Sequence, residues 1–373
     1  MLSIAILCEF PTLNGGEHSL LAAVPFLGSQ CQLKFIVPGA GPLADQLRLL
    51  GQEVIPWPAQ GKSSRSSADV LHMLHALAVD LVHANSLTMS RHLGAVAGEL
   101  HVPCTGHVRD IMRLSESAIR QLNQLAGLVC VSEAVRQQLL GQGITLEKCS
   151  VIYNGVDFER FRPRPRTGTL KQELGLPPEA KLVMNLGQIC LRKGQDVFVQ
   201  VALQLLAQRD DIHFVQVGRR HSQKQESVDF DRQLDVAFSA VGKTAHWHRL
   251  GERSDIPYLL NEVDVLLHTA RQEPLGRVLL EATAAGTPIV ATQVGGTCEI
   301  LHDGTEAWLC PAGAVECLVN RVARQLDDPI RAAGMAARAA ERCRRQFRLP
   351  QHAEQLLEFW QDAQHIRESR IIC

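Results

Sequence analysis

Short runs of β-branched and other apolar residues alternate along this chain with longer segments in which apolar residues recur at helical spacing. Short apolar runs bounded by turn residues predict buried strands, and segments of helical period predict the helices between them. Six strands are predicted in the first half: Ser3–Cys8, Leu33–Val37, Leu81–Ala84, Val102–His107, Gly127–Val131 and Ser150–Tyr153. This alternation is typical of parallel βα units, so the predicted fold class is α/β.

The second half of the chain repeats the same alternation. Five strands are predicted there: Lys181–Gly187, Ile212–Val217, His246–Leu250, Val263–His268 and Pro288–Thr292. From Val315 onward the pattern is helical, and Pro350 interrupts it before a last helix. That helix carries Leu357 and Trp360 on an apolar face, which we expect to pack back on the first half.

The stretch between Asp157 and Thr169 contains two prolines, a glycine and no apolar periodicity, as expected of a linker. A chain of 373 residues also has the length of about two domains. We therefore predict a first α/β domain over residues 1–160, a second over 161–349, and a C-terminal helix over 350–373 that packs on the first domain.

Composition narrows the class of protein. With 46% apolar and 21% charged residues the chain is globular, and 38 Lys and Arg balance 39 Asp and Glu. Without an excess of positive charge, no nucleic acid partner is expected. Eleven scattered cysteines without a C-x-x-C pair argue against a zinc or redox centre, and predict buried free thiols in a reducing cytoplasm. No apolar run reaches the length of a membrane span, so any contact with the inner membrane surface would be peripheral.

Three glycine-containing turns at predicted strand ends are candidate ligand sites. Asn14-Gly15-Gly16-Glu17 opens a helix whose free amides could bind a phosphate, although a plain turn explains the glycines equally well. In the second domain Gly187 begins a loop that ends in Arg192-Lys193-Gly194 at a helix start. A cationic pair is unfavourable against the helix dipole, which favours a diphosphate site over a solvated surface.

The third turn places two carboxylates eight residues apart, Glu273 in a loop and Glu281 on the following helix. Eight residues are a little over two helical turns, so both carboxylates could address one ligand beside Pro274, Leu275 and Gly276. The alternative, that both carboxylates are ordinary solvated charges on the helix surface, remains open. Ligands of open α/β sheets bind at the carboxyl ends of the strands, where these loops lie.

Several other polar residues have weaker signals. His107 ends a strand at the same type of edge, where a ligand role and a structural role are both open, and His83 and Asn85 could line that edge. Ser132 is predicted to be a helix N-cap. Asp229 and Asp231 imitate a D-x-D metal motif, but they fall inside a helical stretch. The chain contains no serine-hydrolase, zincin or P-loop motif.

Taken together, these motifs resemble the family 4 glycosyltransferases, which are retaining enzymes of the GT-B fold (glycosyl transferases group 1). The resemblance rests on Gly15-Gly16, His107, Asn154-Gly155-Val156-Asp157, Arg192-Lys193-Gly194 and the E-x7-E pair, in that order along nearly the whole chain. It implies two facing Rossmann-like domains with parallel sheets, the first on the acceptor side and the second on the donor side. It also implies a C-terminal helix that crosses back to the first domain.

The resemblance also assigns roles to residues. Arg192 and Lys193, with Gly187, would hold the diphosphate of a nucleotide sugar, and Glu281 would hold its ribose. Glu273 and the backbone of Pro274, Leu275 and Gly276 would contact the donor sugar. Gly16 would approach the phosphate or acceptor, and His107 would contact the donor sugar and help position the oxocarbenium ion. Gln188 departs from the family pattern, in which an arginine commonly follows the loop glycine.

The activity implied by the resemblance is hexosyl transfer from a nucleotide diphosphate sugar to a hydroxyl, with retention, by a cytoplasmic protein. Its acceptor would be a sugar, a lipid-linked saccharide or a small molecule, as in glycan, cell-envelope polysaccharide or glycolipid biosynthesis. No cofactor and no divalent metal would be required. Two alternatives remain open: a sugar-nucleotide epimerase of the same fold, and a catalytically silent nucleotide-sugar-binding protein.

Overall fold

The computed structural model describes residues 1–28, 30–57 and 67–372 of the chain. It divides into two compact units. Unit 1 comprises Met1–Gly155 together with Phe347–Cys373, and unit 2 comprises Val156–Gln346. The predicted domain boundaries at 160/161 and 349/350 stay predictions; the compact units meet at 155/156 and 346/347.

Unit 1 is built on a parallel sheet of seven strands. In chain order the strands are β1 Leu2–Leu7, β2 Cys31–Pro38, β3 Glu53–Trp57, β4 Leu81–Ala84, β5 Cys104–Val108, β6 Gly127–Cys130 and β7 Cys149–Val151. The spatial order is β3-β2-β1-β4-β5-β6-β7, so the direction of winding reverses between β1 and β4. In such doubly wound sheets the crevice beside this reversal is the usual place for a ligand.

Helices join these strands. They are α1 Gly15–Leu27, α2 Pro42–Leu49, α3 Ser67–His75, α4 Leu87–Val96, α5 Glu116–Asn123 and α6 Glu133–Leu140, and the last helix of the chain, α15 Leu349–Ile372, joins the same unit. Trp360 of α15 is fully buried in one cluster with Ile4 of β1 and Val24 of α1. The apolar face of the last helix is therefore covered by the sheet and first helix of unit 1.

Unit 2 repeats this plan with a parallel sheet of six strands. The strands are β8 Lys181–Leu186, β9 Ile212–Val217, β10 Trp247–Gly251, β11 Val265–His268, β12 Ile289–Thr292 and β13 Trp308–Cys310. The helices are α7 Thr169–Glu173, α8 Gln195–Leu206, α9 Gln225–Ala240, α10 Ile256–Glu262, α11 Arg277–Ala285, α12 Thr297–Ile300, α13 Val315–Asp327 and α14 Pro329–Gln346. The spatial order is β10-β9-β8-β11-β12-β13, which reverses between β8 and β11.

The structure confirms the α/β class with two parallel sheets, and it adds two strands that the sequence pattern did not reveal. One is β3, which contains Pro56 and lies at the sheet edge, where a missing N–H is tolerated. The other is β13, a three-residue strand at one edge of the unit 2 sheet. Both are too short or too irregular to give a clear alternation.

The expectation that all cysteines are free thiols was wrong for one pair. Cys310 at the end of β13 and Cys317 in the first turn of α13 form a disulfide, with their Cα atoms 6.0 Å apart. A search for C-x-x-C pairs overlooks this spacing, because the strand-to-helix turn brings residues seven apart together. No helix within the described residues has the length and apolarity needed to span a membrane.

Candidate active site

The second-domain motifs meet where the unit 2 sheet reverses. Gly187 follows β8, and the loop after it ends in a short 3-10 turn, Leu191–Lys193, before α8 begins. Glu273 lies in the loop after β11, the strand that neighbours β8. Because both strands are parallel, their carboxyl ends open at one edge, and the two loops come into contact.

The contact is a buried ion pair. Lys193 Nζ donates a hydrogen bond to Glu273 Oε2 at 2.5 Å, and the side chains are 13% and 6% exposed. His268, the last residue of β11, places its Nε2 3.0 Å from the same oxygen. Two neighbouring strand ends thus direct one cation and one imidazole onto a single carboxylate oxygen.

The protonation states of this triad follow from its surroundings. Burial raises the pKa of Glu273, but the charge of Lys193 and the hydrogen bond from His268 outweigh it and hold the pKa well below its usual range. Burial lowers the pKa of His268, so its ring is neutral at pH 7. An ionised carboxylate only accepts hydrogen bonds, so Nε2 of His268 carries the hydrogen and donates it to Glu273.

Gly194 holds the cationic loop against β11. Its φ is +68°, and a Cβ at this position would lie 2.0 Å from the carbonyl oxygen of Thr269. Thr269 in turn donates from Oγ1 to the Gly194 carbonyl at 2.7 Å. A side chain at residue 194 would push the two strand ends apart, so the glycine is required by close approach as well as by φ.

Arg192 lies beside this pair on the exposed side of the loop. Its Nη1 donates to the carbonyl of Gln272 at 3.2 Å, which links it to the residue before Glu273. The neighbouring Arg271 pairs with Asp196 of α8 through two bonds of 2.7 and 2.6 Å. Arg192 forms no ion pair within the described part of the chain, so its charge is available to a bound anion.

The second carboxylate of the E-x7-E pair has a different environment. Glu281 lies on α11, is 7% exposed and pairs with Arg277 one turn earlier at 3.3 Å. Burial raises the pKa of Glu281, and the charges of Arg277 and Arg160 oppose that rise. Glu273 is thus the more strongly stabilised carboxylate of the two, since its pKa is lowered whereas that of Glu281 is raised.

The loop from Pro274 to Gly276 is fixed by close packing. Gly276 has a φ of +108° at the start of α11, and a Cβ on Gly296 would lie 2.6 Å from the Cα of Leu275. The Gly296 amide donates to the carbonyl of Glu273 at 2.9 Å. The predicted glycine turn after β12 therefore supports the loop that carries Glu273.

In unit 1, the predicted residues gather around Arg109, which follows β5. Its Nη2 donates to Asn85 Oδ1 at 2.9 Å and lies 3.0 Å from His107 Nδ1, while Nη1 donates to Asn154 Oδ1 at 3.0 Å. A Cβ on Gly16 would lie 3.2 Å from Cδ of Arg109. Gly16, for which the sequence left a phosphate-binding turn and a plain turn open, therefore gives space to this arginine.

The structure adds functional candidates that sequence reasoning missed. The sequence analysis assigned no role to His268 or Arg109. Their position at the carboxyl end of a strand, where ligands of such sheets bind, was the signal that could have indicated one. Ser132 is an N-cap as predicted, accepting from the Val135 amide at 3.1 Å. Asp231 of the sequence that imitates a D-x-D motif lies on α9 and forms an ion pair of 2.5 Å with Arg249 of β10. This pair links a helix to a strand and gives Asp231 a structural role.

Two family descriptions match the chain in adjacent stretches. Residues 13–160 match Glycosyltransferase Family 4, and residues 167–342 match Glycosyl transferases group 1. The chain belongs to the GT-B glycosyltransferases of group 1 and family 4 type. The stretch that matches Glycosyl transferases group 1 contains Lys193, Glu273 and Glu281. The stretch that matches Glycosyltransferase Family 4 contains His107 and Arg109.

Curated relatives of this glycosyltransferase chain include the lipopolysaccharide core biosynthesis mannosyltransferase LpsB of Rhizobium meliloti (strain 1021). It is 31% identical over 206 residues, which are 55% of this chain and 58% of the relative. The chain spans about half the length of several curated relatives that it matches. A longer match, 24% identical, covers 88% of the chain and 89% of the UDP-Gal:alpha-D-GlcNAc-diphosphoundecaprenol alpha-1,3-galactosyltransferase of Escherichia coli.

Among solved structures, Anabaena Alr3699/HepE in complex with UDP-glucose has a TM-score of 0.86 to this glycosyltransferase chain. The match covers 97% of this chain and 100% of that chain at 23% identity. This likeness shows that the fold is shared.

Proposed function

We propose that this protein transfers a hexose from a nucleotide diphosphate sugar to an acceptor hydroxyl with retention of anomeric configuration. The observation that carries the proposal is the buried Lys193–Glu273–His268 triad at the reversal of the unit 2 sheet. Beside it lies Arg192, which forms no ion pair with the residues that the structure describes. A cation buried at a ligand edge is a candidate for stabilising the charge of a leaving group.

In this proposal Lys193 and Arg192 hold the diphosphate. As the bond between the anomeric carbon and the β-phosphate oxygen breaks, negative charge accumulates on that phosphate. Fixed cations stabilise this charge more than they stabilise the ground state, and the difference lowers the barrier. Glu281 accepts hydrogen bonds from the ribose hydroxyls, which would offset the burial of its charge.

Glu273 is assigned to positioning the sugar, because its environment makes it a poor nucleophile. Its Oε2 accepts hydrogen bonds from both Lys193 and His268, and its low pKa indicates a strongly stabilised carboxylate. Retention then follows from attack by the acceptor oxygen on the face that the phosphate leaves. The new bond joins acceptor oxygen to anomeric carbon, and the acceptor's proton passes to the departing phosphate.

We further propose that no divalent metal and no cofactor take part, since Lys193 and Arg192 supply the positive charge at the diphosphate. The names of the relatives support a sugar or lipid-linked acceptor: one acts in lipopolysaccharide core biosynthesis and another on a diphosphoundecaprenol-linked sugar. Both names support a role in cell-envelope polysaccharide synthesis. We also propose a cytoplasmic location with at most a peripheral membrane contact. UDP-glucose, bound by Alr3699/HepE, is the first donor to try.

The test is release of nucleoside diphosphate from UDP-, GDP- and ADP-hexoses, offered with lipid-linked and soluble sugar acceptors. Glu273→Ala should lower turnover at least a hundredfold. A matched control is Lys243→Ala, which removes a surface lysine paired with Asp210 at 3.2 Å and should leave turnover unchanged. The anomeric proton coupling of the glycoside, measured by NMR, should match that of the donor.

Equal turnover by the Glu273 and Lys243 variants would refute the site, and an inverted product would refute retention. Conversion of UDP-N-acetylglucosamine without any acceptor would favour epimerisation instead. Tight nucleotide binding without turnover on the whole acceptor panel would favour a silent binding protein.

A further inference from the structure

The Arg109 cluster of unit 1 contains buried donors without partners. Asn85 and His107 are 2% and 1% exposed. Among the described residues, neither Asn85 Nδ2 nor His107 Nε2 has a hydrogen-bond partner. A buried N–H without a partner is destabilising, so two such groups at one sheet edge need an explanation.

The guanidinium of Arg109 fixes which atoms are left over. A guanidinium only donates, so the atoms that meet its Nη2 must be acceptors: Asn85 Oδ1 at 2.9 Å and His107 Nδ1 at 3.0 Å. The amide NH2 of Asn85 is therefore turned away from Arg109. A neutral His107 ring with an accepting Nδ1 carries its hydrogen on Nε2.

The His107 ring is neutral because of its neighbours. Burial lowers the pKa of His107 well below its ordinary value, and the charge of Arg109 lowers it further, with smaller contributions from His83 and His352. Protonation at Nδ1 would also set an N–H against the guanidinium. The ring is therefore held in one protonation state and one tautomer.

Arg109 is itself held on two further sides. Its Nη1 donates to Asn154 Oδ1 at 3.0 Å, and the charge of Glu17 in the first turn of α1 lies near it. Gly16 leaves the space that its Cδ and Nε fill. The arginine thus joins Asn85 after β4, His107 in β5 and Asn154 after β7 around one buried group.

We propose that Arg109 is a positioning residue that fixes Asn85 and His107 so that each presents an N–H donor to a hydroxyl oxygen of a sugar bound at the carboxyl edge of the unit 1 sheet. This inference deepens the proposed function and rests on it for the identity of the ligand. It adds Asn85 as a sugar-binding donor and gives Arg109 a role that acts through two other side chains.

The tautomer of His107 can be measured without substrate. In protein labelled with 15N-histidine, long-range 1H–15N correlation spectra distinguish Nε2–H from Nδ1–H rings, and His107→Gln identifies the signal. We expect His107 as the Nε2–H tautomer in the wild type and a mixture of tautomers in Arg109→Met. Arg91→Met, which removes an arginine bonded to Gln121 in the same unit, should leave the spectrum of His107 unchanged.

The donor role of Asn85 is tested by kinetics. Asn85→Ala should lower kcat/KM for the nucleotide sugar about tenfold, the effect of one lost hydrogen bond of about 1.4 kcal/mol, and should leave the His107 tautomer as Nε2–H. Asn123→Ala is the matched control, since that amide donates to the Gly143 carbonyl away from the cluster. It should leave kcat/KM unchanged.

Two results would overturn the inference: an Nδ1–H tautomer of His107 in the wild type, or a kcat/KM of Asn85→Ala equal to that of Asn123→Ala. The spectra and the Asn85 kinetics remain decisive if Arg109→Met does not fold. Absence of nucleotide-sugar turnover in the wild type would refute the proposed function, whereas an unexpected tautomer in an active enzyme would refute this inference alone.

Discussion

The pair formed by Lys193 and Glu273 allows a quantitative prediction. Its atoms are 2.5 Å apart and its side chains are 13% and 6% exposed, so water screens the pair weakly. Lys193→Met keeps most of the apolar stem and removes the charge, which leaves Glu273 buried with His268 as its remaining partner in the triad. Breaking a buried ion pair in this way costs about 3–5 kcal/mol, and we expect about 3 kcal/mol of lost unfolding free energy.

A double-mutant cycle isolates the interaction. Lys193→Met, Glu273→Gln and the double variant should give a coupling free energy of about 3 kcal/mol in urea unfolding followed by tryptophan fluorescence, since removal of both charges leaves no unpaired ion. The control cycle uses Arg219 and Glu252, which also approach closely, 2.7 Å, but are 63% and 60% exposed. Exposed pairs couple by less than about 1 kcal/mol.

The pH dependence has a definite sign. In the wild type the pKa of Glu273 lies below that of an unfolded glutamate, so its stabilising contribution is complete at neutral pH and is lost only as pH falls through the folded pKa. In Lys193→Met, burial should dominate and raise this pKa above the unfolded value. The penalty of the variant should then shrink between pH 7 and pH 5. Equal coupling in the two cycles, or a penalty independent of pH, would refute this reasoning.

Three further predictions concern single residues. Gly194→Ala should destabilise unit 2 by at least about 3 kcal/mol in thermal unfolding, because its Cβ would lie 2.0 Å from the Thr269 carbonyl oxygen. The control is Gly175→Ala, which has a similar φ of +66° but no atom within 4 Å of the added Cβ, and it should cost about 1 kcal/mol. Glu281→Gln should raise the melting temperature of the ligand-free protein, since burial raises the pKa of this carboxyl, yet weaken UDP binding about tenfold by calorimetry. Ser132→Ala should cost about 1 kcal/mol by loss of the α6 cap and leave turnover unchanged; a larger change in turnover than in stability would contradict the purely structural role.

Sequence periodicity predicted most of this fold because parallel strands buried on both faces appear as uninterrupted apolar runs. It also placed Lys193 and Glu273 at one sheet edge, since carboxyl ends of parallel strands share an edge. It could not reveal that His268 and Lys193 meet on one carboxylate oxygen, because that depends on the spatial order of β8 and β11.

The Arg109 cluster shows the same limit more clearly. The guanidinium bonds to Asn154, which lies 45 residues further along the chain, and to Asn85, 24 residues earlier. No local spacing relates these three residues. Only the folded sheet, with β4, β5 and β7 ending at one edge, brings them together and fixes the hydrogen-bonding direction of each amide.

The central claim is that the cations after β8 bind the diphosphate of a nucleotide sugar, and calorimetric titration with nucleoside phosphates tests it most directly. UDP, GDP and ADP would each be compared with their monophosphates on wild type and on Arg192→Ala, an exposed substitution that leaves the buried triad intact. We expect at least one diphosphate to bind tenfold or more tightly than its monophosphate, and Arg192→Ala to remove most of that difference. Equal affinity for diphosphate and monophosphate across all three bases would contradict the account.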